Sequence, residues 1–346
     1  MVLFCLLFIA ALVNADVSAR AAYFNLTKTW TAPMPALPIT ADAASYITSK
    51  WHTSSIYASE DISFIHDPID TNSTSVVMKV DYPAGSYAPI GTKNGNNGVK
   101  GGAEFFSRPN GKKEYNTGLL SYDVAFDSNF NWVKGGKLPG IYGGKVGPGC
   151  SGGEKATGAN CFSVRMMWRA KGAGEAYAYI PTSKSLCSEK KVICHGSYGT
   201  SFSRGVFNFS VMKWSHIEIY VKTNSGNNMN GILKVWQDDS LVIDQQNIKF
   251  RTNESLGVSS LMFSTFFGGG STSYATPVNT SSYFRNFQLS TGNTPSLNDT
   301  PNSILNDTSI PKGTSSSVKD SSAVSLYTSS LYYYFILLVV LYQLFA

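Results

Sequence analysis

Cys161 to Pro181, CFSVRMMWRAKGAGEAYAYIP, decides the fold class of this 346-residue chain. Its apolar side chains recur at every second position: Phe162, Val164, Met166 and Trp168, then Ala176, Ala178 and Ile180 beyond a turn. Ser163, Arg165 and Arg169 hold the odd positions of the first half, with Met167 between them, and Tyr177 and Tyr179 those of the second. A period of two is that of an extended strand, whereas a helix repeats every ~3.6 residues. Lys171-Gly172-Ala173-Gly174 has the composition of a hairpin loop. Centred on Gly172, that hairpin sets Arg165 opposite Tyr179 and Met167 opposite Tyr177. Ser163, Arg165, Tyr177 and Tyr179 are then expected on one face, with the even residues in the core.

The same period runs outward in both directions. Val76 to Tyr82 stops at Pro83; Leu119 to Phe126 alternates before Asp127; Trp214 to Lys222 alternates up to Asn224-Ser225-Gly226. Gly231 to Gln237 resumes it, and Asp238-Asp239 turns the chain into Leu241-Val242-Ile243. Strand, turn and strand at this spacing predict an all-β protein, an antiparallel β-sandwich or β-jelly roll in a single domain over about 16–290. No long amphipathic helix competes.

Charged residues make up only 14% of the chain, and the net charge is +6. That balance suits a polyanionic partner, but no compact basic run points to nucleic acid. An acidic polysaccharide is the other polyanion.

Both ends read as targeting segments. MVLFCLLFIAALVNA, residues 1–15, is an apolar run closing in a small-residue cleavage pattern, as in a secretory signal peptide. Asn-x-Ser/Thr sequons at Asn25, Asn72, Asn208, Asn253, Asn279, Asn298 and Asn306 predict N-glycosylation of an exported chain. Residues 291–322 are Ser, Thr, Asn and Pro with almost nothing to bury, a composition expected of a disordered stalk. Ser321, Ser322 and Ala323, a spacer and the apolar tail to Ala346 have the layout of a GPI-attachment signal, with Ser321 the expected lipid site. A transmembrane tail is the alternative. Loss of the signal peptide removes Cys5 and leaves four cysteines. In an oxidising compartment their short local loops favour disulfides Cys150–Cys161 and Cys187–Cys194 over a zinc site.

The odd face of the 161–181 hairpin has a chemistry. β-Elimination from a uronate needs a cation to neutralise the C5 carboxylate, a base for the C5 proton and an acid for the departing O4. Arginine and lysine supply the charge, and a tyrosine beside them is expected to have its pKa lowered into a useful range. A glycosidase instead needs two carboxyl groups flanking the bond, and no such pair is visible. Upstream, KGGKLPGIYGG (134–144) packs glycines and a proline around Lys137, composing an irregular backbone. Trp132 and Tyr142 flank it as candidates for stacking on sugar rings.

GGKLPG at 135–140, GCSGG at 149–153, SVR at 163–165 with WR at 168–169, YAY at 177–179 and MFSTFFGGG at 262–270 resemble the polysaccharide lyase family 14 type of domain, in particular its fungal branch. The resemblance covers nearly all of 20–290. It implies a jelly roll acting on alginate or glucuronan without an essential metal or cofactor. It also implies a catalytic set of Lys137, Ser163, Arg165, Tyr177 and Tyr179, in which Arg165 and Lys137 meet the carboxylate. Whether a tyrosine or Lys137 removes the proton stays open. Arg169 and Ser264 are further candidates for substrate contact; Glu104 and Asp123 are unpaired carboxylates in sequence. His52, His66, His195 and His216 are scattered, without ligand spacing. A non-catalytic module binding acidic cell-wall polysaccharide is the rival reading, and it would have no need of paired tyrosines in this register.

Overall fold

A computed structural model describes residues 19–89, 99–147 and 149–293. The segment expected as a signal peptide, Asn298, Asn306, Ser321 and the C-terminal tail lie outside the described residues; of the stalk expected over 291–322, Thr291 and Gly292 instead complete a buried strand end, and 294–322 lie outside. Within them the chain begins with β1 (Lys28–Thr31), β2 (Ile56–Tyr57), β3 (Ile62–His66), β4 (Val76–Tyr82) and β5 (Ala103–Ser107). It continues through β6 (Thr117–Phe126), β7 (Gly135–Gly144), β8 (Cys161–Arg169), β9 (Gly174–Tyr179), β10 (Val192–Ile193) and β11 (Thr200–Phe202). It ends with β12 (Ser215–Lys222), β13 (Gly231–Gln237), β14 (Ser240–Ile248), β15 (Val258–Phe267) and β16 (Thr280–Gly292). The longest described helix, Ala43–Lys50, has eight residues. Strand ends match the sequence signals: β4 stops before Pro83, and Asp238-Asp239, both at positive φ, make the β13–β14 turn.

Two eight-stranded antiparallel sheets form the sandwich. One runs β14-β13-β12-β6-β16-β4-β3 with β1 on β16; the other runs β10-β11-β9-β8-β7-β15-β5-β2. Between them lies an aromatic-rich core in which Trp168 meets Phe130 and Phe267, each at 5.3 Å between ring centres. Tyr122 stacks on Phe287 at 5.2 Å. Each fully buried Phe or Leu of this layer contributes about 1.5–3 kcal/mol. The even apolar residues of the hairpin, Phe162 to Trp168 and Ala176 to Ile180, belong to this core, as the alternation predicts.

The hairpin register differs from expectation by two residues. Arg165 pairs with Tyr177, Ser163 with Tyr179 and Met167 with Glu175. The turn is centred on Lys171, which adopts φ 61°, rather than on Gly172. Because the offset is even, no side chain changes face.

The outer face of the first sheet is apolar where Phe24 covers Leu119, Tyr220 and Trp236, and polar around Asp123. His216 Nδ1 lies 2.6 Å from Asp123, which also takes hydrogen bonds from Arg285 and Asn286. Asp123, unpaired in sequence, and His216 therefore find partners in one network. All five described sequon asparagines, Asn25, Asn72, Asn208, Asn253 and Asn279, are exposed.

Candidate active site

The site is built on the outer face of the second sheet, on neighbouring strands β5, β15, β7, β8, β9 and β11. Its key device is a break in β7. Opposite β8 the register shifts between Lys137 and Gly140, so one extra residue is inserted at Leu138-Pro139. Without that bulge Lys137 and Tyr142, five positions apart, would face opposite ways. With it, Lys137 pairs with Met167 and Tyr142 with Ser163, and both join the face of Arg165. KGGKLPGIYGG is thus a central strand with a bulge, where the composition suggested an irregular bend. The bulge is pinned across the core by the Tyr122 hydroxyl, which donates to the Pro139 carbonyl at 3.0 Å. Gly140 is required here, because a Cβ would run into the Val164 carbonyl and the Arg165 backbone.

Four residues of the expected set meet at close range. Lys137 Nζ sits 3.5 Å from the Tyr177 ring centre and 2.8 Å from Met167 Sδ. The Arg165 guanidinium is 5.9 Å from the Tyr179 ring, and the two tyrosine rings are 5.9 Å apart, edge to face. Arg165 is 1% exposed, yet it has no direct ion pair among the described residues. One terminal nitrogen donates to Ser264 Oγ at 3.1 Å, Ser264 donates to Glu104 at 2.7 Å, and Arg165 Nε has no partner. A buried cation left in this state is costly to the free protein.

The environment pushes the two central titratable groups in opposite directions. Burial, then the charges of Arg165 and Arg169, drive the Lys137 amine well below the ordinary lysine range. Burial, then neighbouring Tyr179, pushes Tyr177 up to about 12. The lowered tyrosine pKa expected beside Arg and Lys is not found at Tyr177, since desolvation of the phenolate outweighs the guanidinium charge.

Both disulfides expected from the sequence are present, Cys150–Cys161 and Cys187–Cys194. The first closes a loop over the tyrosine end of the face. Ser163, fully buried, donates to the Cys150 carbonyl at 2.6 Å, and the Gly153 N–H donates to the Tyr179 hydroxyl at 3.0 Å. Beyond the second disulfide, Gly199 packs on the Tyr177 ring with its backbone in reach of that hydroxyl. Reduction of Cys150–Cys161 should therefore free Gly153 and lower activity roughly fivefold, the effect of one ~1 kcal/mol hydrogen bond. Rate assays and circular dichroism across a reductant series check this, with activity falling before the β signal.

Three expectations need revision. Trp132 is half-buried and packs against the core, on Phe126 at 4.8 Å and Phe130 at 5.0 Å, rather than standing free beside Lys137. Tyr142 is on the site face but fully buried, its ring against Phe106 at 5.0 Å. Arg169 is not a free contact residue: it donates twice to Glu175 Oε1, at 2.8 and 2.5 Å. Glu175, with Ser201 and Arg204 on its other oxygen, was missed. Its odd number, shared with Tyr177 and Tyr179, was the available signal.

The profile described as Polysaccharide lyase 14 matches residues 70–287. A marine PL-14 alginate lyase from Aplysia kurodai is 33% identical, with TM-score 0.66 over 77% of this chain and 99% of its own. The alginate lyase vAL-1 from Chlorella virus is 24% identical, with TM-score 0.55 over 70% and 93%. An endo-β-1,4-glucuronan lyase from the fungus Trichoderma reesei matches at 11% identity and TM-score 0.45 over 69% and 91%, too distant to carry the fungal affinity expected from the motifs. No curated protein sequence matches. On the profile match and the 33% identity, the chain belongs to the polysaccharide lyase 14 family.

Proposed function

We propose that the protein cleaves a uronic-acid polymer, of the alginate or glucuronan type, by β-elimination. The observation that carries this reading is the buried Arg165 without a carboxylate partner, set beside a lysine whose pKa burial and neighbouring cations lower and a tyrosine whose pKa burial raises. Arg165 binds the substrate carboxylate and stabilises the charge that builds on it when the C5 proton leaves. Lys137, as the free amine, takes that proton. The electron pair of the C5–H bond forms the C4–C5 double bond as the C4–O4 bond breaks, and Tyr177 delivers its proton to O4. Two groups whose pKa values are pushed apart suit opposite roles as base and acid. The alginate lyases named above support the choice of substrate class. Mass spectrometry of digests of polymannuronate, polyguluronate and glucuronan tests the reading. Products lacking the water that hydrolysis adds are expected, and hydrated products would refute elimination.

The termini extend the proposal to location: an exported, N-glycosylated protein held at the cell surface by a GPI anchor near Ser321. The apolar ends, the Ser/Thr-rich stalk and the exposed sequons support it. Phosphatidylinositol-specific phospholipase should release the protein from intact cells; retention with the tail still present would mark a transmembrane helix.

A further inference from the structure

Two cations on the active face are given no direct contact with substrate in the elimination described above, although both charges bear on Lys137. Arg169 and Arg204 converge on Glu175, which is completely buried. Arg169 holds one carboxylate oxygen; Arg204 Nε and Ser201 Oγ hold the other, each at 2.6 Å. One arginine would neutralise this carboxylate, so the second leaves the cluster with a net positive charge. Arg204 is the more open of the pair, its side chain 38% exposed against 18% for Arg169. It is held through Nε alone, and its two terminal nitrogens have no partner among the described residues. That pair of terminal N–H groups is the edge of a guanidinium that a carboxylate takes in a two-point contact. Glu175 pairs with Met167, two residues along β8 from Arg165, so the cluster lies roughly 7 Å farther along the strand. Arg204 is also near enough for its charge to bear on the Lys137 amine.

We propose that Arg204, locked in place by Glu175, is a second carboxylate-binding site that grips a uronate neighbouring the one that reacts. This rests on the uronate reading, since every residue of such a polymer carries a carboxylate. Glu175 is then a positioning residue, and the charge it leaves over is directed at substrate.

The test is calorimetric binding of alginate and glucuronan oligosaccharides to the Lys137→Met protein with and without Arg204→Ala, alongside kcat and KM of the single Arg204→Ala enzyme. The expected result is about tenfold weaker binding and a KM raised about tenfold, with kcat within about twofold, as for loss of uniform binding. Arg204→Lys should recover part of the affinity and cover the case in which the alanine variant fails to fold. Unchanged affinity in folded Arg204→Ala and Arg204→Lys proteins overturns the proposal and leaves the cluster a structural tie between β9 and the segment after β11. Weakened binding in a protein whose wild type never yields unsaturated product would support Arg204 while refuting the lyase reading.

Discussion

Lys137→Met is expected to cut kcat by about 10²–10⁴-fold, the usual contribution of a general base, with the fold intact. Methionine matches the length of the lysine stem, and the surroundings, Met167 and the Tyr177 ring, accept an apolar side chain. The pH profile is the sharper check. Elimination needs the unprotonated amine, so the rate should rise as pH climbs through the Lys137 pKa, which burial, Arg165 and Arg169 place well below the ordinary lysine range. Glu175 opposes that depression. Glu175→Gln should therefore shift the acidic limb to lower pH, and Lys137→Met should abolish it. Tyr177→Phe should lose activity on the same scale as Lys137→Met, and Tyr179→Phe less, since the Tyr179 hydroxyl is already engaged by Gly153. A Lys137→Met enzyme that keeps its rate, or its acidic limb, contradicts the assignment.

Arg165→Met should separate stability from activity. The guanidinium is 1% exposed, with one protein hydrogen bond from a terminal nitrogen and an orphaned Nε. Replacing a buried charge that lacks a direct counter-ion by an apolar residue of similar volume is neutral or stabilising by about 1–4 kcal/mol. Ser264 keeps its bond to Glu104 in the variant. The expected outcome is an unfolding midpoint unchanged or raised while turnover drops about 10²–10³-fold, the effect of losing one preorganised charge-stabilising group. Arg165→Lys keeps the charge without the planar fork and should still be strongly impaired. Thermal unfolding and initial rates on the same preparations check this. A parallel fall of midpoint and activity would make Arg165 a structural residue.

Much of this site was legible in the chain because alternation reports faces even where it misses register. An even offset at the hairpin tip left Ser163, Arg165, Tyr177 and Tyr179 together, although Lys171 rather than Gly172 makes the turn. The bulge in β7 was not legible: Leu138-Pro139 reads as a bend, and only the pairing with β8 shows that it re-aims Lys137. Tyr177 defeated a local argument. Its cationic neighbours were visible, but its burial depends on Gly199, which is distant in sequence. The packing of Trp132 on Phe126 and Phe130 was likewise not legible, since it depends on how the loop after β6 folds back on the core. Glu175 went unremarked because its meaning lies in Arg204, contributed from beyond the second disulfide.

Elimination creates a C4–C5 double bond conjugated to the carboxylate, so its product absorbs in the ultraviolet, and neither hydrolysis nor binding produces such a group. The decisive measurement is the initial rate of ultraviolet absorbance when the purified protein is mixed with alginate or glucuronan. A steady rise with wild type on at least one polymer, reduced at least about 10²-fold in Lys137→Met with an unaltered circular dichroism spectrum, is the predicted result. Polymer shortening without absorbance, or tight binding with neither, would contradict it.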